Sequence, residues 1–343
     1  MNTIESSFKK AELISDNKIF IPKDIKLPYP LSKSASGPSS GLLSIAVSFE
    51  NKNIKLTVTK DQNQSFALKK ENDNFQILKD GKIFLKNVEI LPILFHAPNQ
   101  AFLNIEDRCI YNCAFCHLSQ QEFLKEYDEE KFFNLILKVS HRQDFKAIAI
   151  TSGVYPDYSK FIKKICNIVK KIRQNFSNIP IGVETCISKQ NEILMLKKAG
   201  VDEIKINIQN PEIELFNKIC PDFDYDNIFK NLSEAVKIFG KGNVTSNIIY
   251  GLGESDESVK KTIERLAKIG VVPTLRKIRI NNFIKQKLEE VTTNKIYDVS
   301  TDRILKIAYE HKKILEKYGL TTKSFKTMCH RCGCCDIVPF WDI

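Results

Sequence analysis

From residue 101 onward, the sequence alternates between short apolar segments of strand character and longer amphipathic segments with helical spacing. One helical segment runs from Phe161 to Ile172, and another is bounded by Ser255 and Gly270, a typical N-cap residue and a typical C-terminal glycine. Strands that alternate with helices form parallel sheets. Six units of this kind predict an α/β fold with a parallel (β/α)6 partial TIM barrel. The predicted strands are 101–105, 147–151, 179–184, 203–208, 244–250 and 274–280.

Three cysteines follow the first predicted strand, at Cys109, Cys113 and Cys116, with the spacing C-x3-C-x2-C. In a parallel barrel the chemistry takes place at the C-terminal ends of the strands, so these cysteines are expected on that face. Three thiolates can bind three irons of a [4Fe–4S] cluster and leave the fourth iron for another ligand. The alternative is a zinc knuckle, but zinc needs four ligands, and His117 is adjacent to Cys116, which strains a tetrahedral site. We therefore expect an open [4Fe–4S] cluster.

This spacing, with Phe115 just before the third cysteine, resembles the cluster loop of the radical S-adenosylmethionine (SAM) superfamily, and within it the biotin synthase-like group. The resemblance covers roughly residues 100–282. It implies that a reduced cluster donates one electron to SAM bound at the open iron, and that the resulting 5′-deoxyadenosyl radical abstracts hydrogen from an unactivated carbon. It also implies an electron donor such as ferredoxin or flavodoxin.

The resemblance extends to residues that follow the other predicted strands. The turn 151–154 is similar to the family turn that holds the amino group of SAM, although Ser152 replaces a family glycine and Val154 the family acid. The segment 247–254 is similar to the family pattern G-x-I-x-G-x-x-E, with Asn247 in place of the first glycine. The residues that the resemblance implies as cofactor-binding are Ser152, Gly153, Glu184, Asn207, Ile249, Glu254 and Phe115.

Two arginines, Arg276 and Arg279, lie on the sixth predicted strand. We expect both at the same mouth of the barrel. Their guanidinium groups could bind a carboxylate there.

A second group of cysteines lies near the C-terminus, and its candidate ligands are Cys329, Cys332, Cys334 and Cys335. The side chains of adjacent Cys334 and Cys335 diverge, so Cys329, Cys332 and one of that pair fit a single site better. An auxiliary [4Fe–4S] or [2Fe–2S] cluster is the first interpretation and zinc is the second. A thiol-rich terminus without metal is the third. An auxiliary cluster could donate sulfur, relay an electron or bind substrate.

The residues before the barrel alternate between apolar and polar from Leu43 to about Leu94, which predicts a small antiparallel β subdomain. The stretch 31–43 is rich in Ser, Gly and Pro, and is interpreted as a linker or surface loop, or as a loop that contacts substrate or an anion. The predicted division is an N-terminal segment with the β subdomain (1–98), the barrel (99–285), and a C-terminal helix with the cysteine-rich tail (286–343).

The amino-acid composition limits the classes of protein to which this chain can belong. Hydrophobic residues make up 43% of the 343, so global disorder is excluded. No apolar run reaches the length of a membrane span and the N-terminus is polar, so we expect a cytoplasmic protein without a membrane partner. The net charge of +11 comes mainly from lysines scattered over helix faces, whereas nucleic-acid sites favour clustered arginine. A nucleic-acid partner is therefore not favoured, although it stays open.

The predicted function is that of a radical SAM enzyme whose substrate is unknown. The hypotheses for its reaction are sulfur insertion, radical rearrangement in cofactor biosynthesis, and modification of a peptide or RNA. The class of enzyme, transferase, lyase or oxidoreductase, stays open. The alternative is a non-catalytic iron–sulfur or zinc protein that binds nucleic acid.

Overall fold

A computed structural model of the chain describes residues 3–33, 42–116, 118, 129–155, 157–279, 281–292, 296 and 298–343. His117, most of the Ser/Gly/Pro-rich stretch (34–41) and the last residue of the sixth predicted strand (280) lie outside this set. The elements before residue 100 are α1 (Thr3–Asp16), β1 (Lys18–Phe20), β2 (Ser32–Lys33), β3 (Leu43–Phe49), β4 (Lys52–Thr59), β5 (Phe66–Glu71), β6 (Asn74–Lys79) and β7 (Lys82–Leu91).

These strands form one sheet in which β3 pairs with both β4 and β7, so the sheet closes into a small N-terminal barrel. The hairpins are antiparallel, as predicted, but β1 pairs in parallel with β4 and β5. Strand β1 lies before the residues for which antiparallel strands were predicted, 43 to about 94, and it was not predicted. Its pairing is parallel because β1 is entered from helix α1, which the sequence analysis missed, and not from a hairpin. Helix α1 buries Ala11, Leu13 and Ile14.

The second sheet contains six parallel strands that follow one another in chain order. Among the described residues, the last strand does not pair with the first, so the sheet is an open arc. This arrangement confirms the predicted partial barrel. Its strands are β8 (Gln100–Asn104), β9 (Ala147–Thr151), β10 (Ile181–Glu184), β11 (Glu203–Lys205), β12 (Val244–Tyr250) and β13 (Val272–Lys277).

Helices cover the outside of this arc and begin and end at the signals in the sequence. Ser255 caps the seventh helix by accepting a hydrogen bond from the Ser258 backbone NH, and Gly200 ends the fourth with a φ of 108°. The helices between the strands and after the last one are α2 (Glu129–Ser140), α3 (Tyr158–Asn175), α4 (Gln190–Ala199), α5 (Ile213–Ile219), α6 (Tyr225–Phe239), α7 (Asp256–Lys268) and α8 (Asn282–Thr292).

Strand β11 ends at Lys205, three residues before the predicted end. The backbone NH of Ile208 donates to the Ser246 hydroxyl (2.9 Å) and not to the backbone of β12, and Gln209 adopts a φ of 63°. A hydroxyl in place of a backbone acceptor interrupts the ladder, so Asn207 lies beyond the strand, and pairing with β12 resumes at Gln209.

The C-terminal part contains α9 (Thr301–Lys317) and α10 (Met328–Cys332). Helix α10 lies at the N-terminal ends of the barrel strands. The side-chain amide of Gln100, at the start of β8, donates to the Met328 carbonyl (2.9 Å) and accepts from the Met328 NH (2.7 Å). The tail, residues 328–336, therefore enters the barrel from the end opposite to the cysteine loop.

The N-terminal barrel contacts the tail from its other side. The backbone NH of Lys55 donates to the Cys334 carbonyl (2.8 Å), and the Asn53 amide donates to the Cys332 carbonyl (3.1 Å). The tail is thus held between two β structures. None of the described helices has both the length and the apolar character needed to cross a membrane.

Candidate active site

A cavity of about 230 Å³ lies among the C-terminal ends of the barrel strands. It brings together residues that are far apart in the sequence, including all three cysteines of the first motif and one cysteine of the tail. The predicted site residues that line it are Cys109, Cys113, Cys116, Phe115, Ser152, Gly153, Glu184, Asn207, Ile249 and Cys335.

The cluster loop, residues 106–116, is attached to two neighbouring segments through its backbone. The Gly153 NH donates to the Glu106 carbonyl (2.8 Å), and the Ile110 NH donates to the Val154 carbonyl (2.9 Å). On the other side, the Ala114 NH donates to the Ile219 carbonyl (2.8 Å). The loop is therefore held in place by backbone hydrogen bonds on both sides, and its three thiols line the cavity.

Gly153 is the residue that allows the loop to approach β9. A methyl group added at Gly153 would overlap the backbone carbonyl of Arg108, which cannot move without displacing Cys109. Ser152 occupies the preceding position, and its hydroxyl donates to the Gly153 carbonyl (2.7 Å). The turn after β9 thus tolerates the serine and needs the glycine.

Two further cysteines, Cys186 and Cys220, lie next to the three cysteines of the cluster loop. Burial raises the pKa of the Cys109 thiol, and it raises the pKa of Cys186 and Cys220 further, with smaller contributions from neighbouring cysteines. Cys186 lines the cavity, and Cys220 contacts Cys113 from behind.

The donor set of the loop fits an iron–sulfur cluster. Among the described residues, no three His, Cys, Asp or Glu side chains are spaced to hold a single metal ion. A tetrahedral zinc site would need sulfurs about 3.8 Å apart. The ligands of a [4Fe–4S] cluster bind different irons, so they need no such convergence. Three thiols on one loop that face one cavity meet this requirement.

Polar side chains at the ends of β10, β11 and β12 form a network in the cavity. The Asn207 amide donates to the Glu184 carboxylate (2.7 Å), and its oxygen accepts from the Asn247 NH (3.0 Å). The Asn247 amide also faces Glu184 (3.4 Å). The side-chain oxygen of Asn247 is buried without a hydrogen-bond partner among the described residues. Because unsatisfied buried acceptors are rare, this oxygen indicates a place for a ligand donor.

Glu254, expected among the cofactor contacts, is not brought into the cavity. Its carboxylate accepts from the NH groups of Gly251 (2.7 Å) and Leu252 (2.9 Å) and pairs with Arg303 (2.9 Å). The side chain is completely buried. All of its strong interactions are internal, so here Glu254 stabilises the turn after β12.

Arg276 and Arg279 both line the cavity, as expected. If the strand continued to residue 280, these two side chains would point to opposite faces of the sheet, because they are three positions apart and successive side chains of a strand alternate between the faces. Strand β13 ends at Lys277, and the change of direction after it allows both guanidinium groups to reach the cavity. Arg279 donates to the Lys55 carbonyl (3.2 Å) of the N-terminal barrel.

Lys55 and His96 are contributions from the N-terminal part that sequence reasoning missed. His96 lines the cavity, and the Lys55 ammonium donates to the His96 carbonyl (2.9 Å). Burial lowers the pKa of Lys55 to about 8, and it lowers the pKa of His96 well below its usual value. Neither residue belongs to a motif, and only the docking of the N-terminal barrel brings them to the site.

Comparison with known proteins gives matches to one family. Residues 103–266 match the family model described as the Radical SAM superfamily. A probable GTP 3′,8-cyclase of Thermococcus kodakarensis is 24% identical over 173 residues, which cover 50% of this chain and 53% of that protein. A biotin synthase of Streptococcus agalactiae is 24% identical over 225 residues, which cover 60% of this chain and 62% of that protein. The chain therefore spans less than two thirds of either relative.

Among solved structures, the FeFe-hydrogenase maturase HydG from Carboxydothermus hydrogenoformans matches with a TM-score of 0.53. The identity is 18%, and the match covers 64% of this chain and 52% of HydG. At this identity the likeness concerns the fold alone. It agrees with the open parallel barrel of β8–β13.

Proposed function

Because this chain belongs to the Radical SAM superfamily through residues 103–266, we propose that it is an enzyme that binds a [4Fe–4S] cluster and SAM and uses them to activate a C–H bond of a substrate. One observation carries the proposal. The thiols of Cys109, Cys113 and Cys116 line the same cavity as the polar strand ends Glu184 and Asn207.

In this proposal the three thiols hold the cluster at the C-terminal face of the barrel. The backbone at Ser152 and Gly153 and the network of Glu184, Asn207 and Asn247 bind the polar groups of SAM, since a carboxylate and amide oxygens accept from amino and hydroxyl groups. Ile249 and Phe115 line the cavity with apolar surface suited to adenine. Together, a reduced cluster and SAM supply a 5′-deoxyadenosyl radical that removes a hydrogen atom from carbon.

The protein's own contribution is orientation and the exclusion of water. Apolar side chains form much of the cavity wall, including Tyr111, Ile206, Phe223 and Ile228. They limit access of water to the reacting atoms. Arg276 and Arg279 lie in the same cavity, where paired guanidinium groups bind a carboxylate or phosphate. We therefore propose that the substrate carries an anionic group.

The reaction class is open within this proposal. The two relatives named above are a cyclase and a synthase, and both names fit a small-molecule substrate. Sulfur insertion and radical rearrangement in cofactor biosynthesis are therefore placed ahead of modification of a peptide or RNA. Reduction of the cluster requires an electron donor such as ferredoxin or flavodoxin.

The test is anaerobic reconstitution with iron and sulfide, followed by dithionite and SAM. We expect 5′-deoxyadenosine as a product. The variant Cys113→Ala should give none, whereas Cys166→Ala, which removes a buried thiol on α3 away from the cavity, should retain the activity. If the unmodified protein gives no more 5′-deoxyadenosine than Cys113→Ala, the enzyme proposal fails and the non-catalytic alternative is favoured.

A further inference from the structure

The C-terminal tail places its cysteines at the opposite end of the barrel interior from the cluster loop. The Cys329 sulfur lies 3.2 Å from the ammonium group of Lys205, which belongs to β11 and is completely buried. Cys332 and Cys334 pack against Phe102 and Ala149 of the first two barrel strands. Cysteines 329, 332 and 334 are at most 6% exposed. The tail thiols are therefore part of the barrel interior, unlike those of a loose terminus.

The two adjacent cysteines of the tail have different surroundings. Cys335 lines the cavity and makes a side-chain hydrogen bond with Arg276. Cys335 also lines a small pocket with Cys329 and Arg276, whereas Cys334 does not and instead contacts Cys332, to whose carbonyl its thiol donates (3.3 Å). The sequence left the choice within this pair open, and the structure selects Cys335.

This choice gives the three remaining cysteines a regular spacing. Cys329, Cys332 and Cys335 form C-x2-C-x2-C, which is the spacing of the first three ligands in bacterial ferredoxin sequences. Cys329 and Cys335 line one small pocket, and Cys335 packs against the apolar cluster that contains Cys332.

The charges around these thiols require an anionic partner. Four basic residues lie next to them. Lys205 contacts Cys329, Arg276 and Arg279 line the cavity with Cys335, and the Lys55 NH donates to the Cys334 carbonyl. Of the nearby carboxylates, Glu184 lies 3.7 Å from Lys205. Asp336 is already engaged by the Tyr250 hydroxyl (3.0 Å) and the Lys277 NH (2.6 Å). Buried cations are normally compensated by anions. Three thiolates bound to an iron–sulfur core would supply such negative charge.

We propose that Cys329, Cys332 and Cys335 bind a second [4Fe–4S] cluster at the end of the cavity opposite to the cluster loop. Cys334 is a neighbour of this cluster and not a ligand. With three cysteine ligands, one iron is left for another donor. Since Cys335 and Arg276 line the cavity, we assign that position to a donor group of the substrate. This last role rests on the proposed function, whereas the presence of the cluster does not.

Iron and sulfide counting tests the site separately from the first cluster. In a variant with Cys109, Cys113 and Cys116 all changed to Ala, the tail is untouched, and we expect about four irons and four sulfides per chain after anaerobic reconstitution. Adding Cys335→Ala to this background should remove at least half of the iron. Adding Cys334→Ala instead is the matched control and should leave the count unchanged.

The outcomes distinguish this proposal from the first one. A protein that binds about eight irons but forms no 5′-deoxyadenosine supports the tail cluster and contradicts the enzyme proposal. Zinc or no metal in the triple variant overturns the tail cluster, as does a count of about two irons, or loss of iron with Cys334→Ala but not with Cys335→Ala. If the tail variants fail to fold, the unmodified chain decides, because about four irons in place of eight would overturn the proposal.

Discussion

The ammonium nitrogen of Lys205 lies 3.2 Å from the sulfur of Cys329 and joins the fourth barrel strand to the C-terminal tail. The same nitrogen lies 3.7 Å from the carboxylate of Glu184. Lys205 is completely buried. One cation therefore connects the polar network at the strand ends with the thiols at the other end of the barrel interior.

Replacement of Lys205 by Met should weaken metal binding at the tail. Removing one partner of a buried ion pair leaves the other charge uncompensated, so the free energy of unfolding of the metal-free protein should also fall, by about 3 kcal/mol. Iron bound by the tail, measured in the background without the cluster-loop cysteines, should fall severalfold, since the thiolates lose a compensating charge. Lys205→Arg, which retains the charge, is the control. Equal iron in Lys205→Met and its parent would contradict this role.

Gly153→Ala should disturb the cluster loop. The added methyl group would overlap the Arg108 carbonyl, which is backbone and adjacent to Cys109. We expect iron bound at the loop and 5′-deoxyadenosine formation to fall by at least tenfold. The protein should remain folded, because the loop lies at the edge of the core. Circular dichroism checks the fold, and full activity in this variant would show that the loop can shift without loss.

Gly182→Ala is the matching change at the other end. Its methyl group would overlap the Thr327 side chain, just before the tail. The NH of Thr327 donates a hydrogen bond to the Glu203 carboxylate (3.0 Å), so Thr327 cannot move freely. We expect the tail to be displaced. Limited proteolysis should then cleave the tail faster, and the tail should bind less iron. A tail that stays protected in Gly182→Ala would argue against its close packing in the barrel.

Glu254 and Glu184 should give opposite results when each is changed to Gln. Glu254 accepts two backbone hydrogen bonds and pairs with Arg303, so Glu254→Gln should lower the free energy of unfolding by about 2 kcal/mol and leave the Kd for SAM unchanged. Glu184 faces the cavity, so Glu184→Gln should raise that Kd about tenfold. Equilibrium dialysis and denaturant titration measure the two quantities. Weaker SAM binding in Glu254→Gln would restore its expected role as a cofactor contact.

His311 should make the protein sensitive to acid. Burial, with a smaller contribution from His330, lowers its pKa to about 3, and neither ring nitrogen has a partner among the described residues. The unfolded chain binds this proton near pH 6.5, so stability present above that pH is lost as the pH falls towards 3. Between pH 7 and pH 5 the loss is about 2 kcal/mol.

The variant His311→Leu cannot bind this proton in either the folded or the unfolded state. Lowering the pH from 7 to 5 should therefore cost His311→Leu about 2 kcal/mol less free energy of unfolding than it costs the unmodified protein. Guanidinium titrations of both proteins at the two pH values provide the measurement. Parallel pH profiles would show that His311 is protonated without cost in the folded state.

The sequence determined the features that depend on local periodicity and spacing. The alternation of strand and helix segments predicted the partial barrel, because the two periods differ and each can be recognised in a single segment. The spacing of Cys109, Cys113 and Cys116 predicted three thiols on one loop, since they lie within eight residues. Ser255 and Gly270 marked the two ends of α7 through their own side-chain and backbone preferences.

Contacts between distant segments were decided only by the tertiary structure. The sequence could not distinguish Cys334 from Cys335, because their difference arises from Arg276 and the cavity on one side and the N-terminal barrel on the other. It could not show that Glu254 is engaged by Arg303, nor that His96 lines the cavity with Lys55 bound to its carbonyl. In each case the deciding partner lies at least 40 positions away in the chain. Local pattern carries no information on such pairs, and the packing of the N-terminal barrel, the tail and the (β/α)6 arc supplies it.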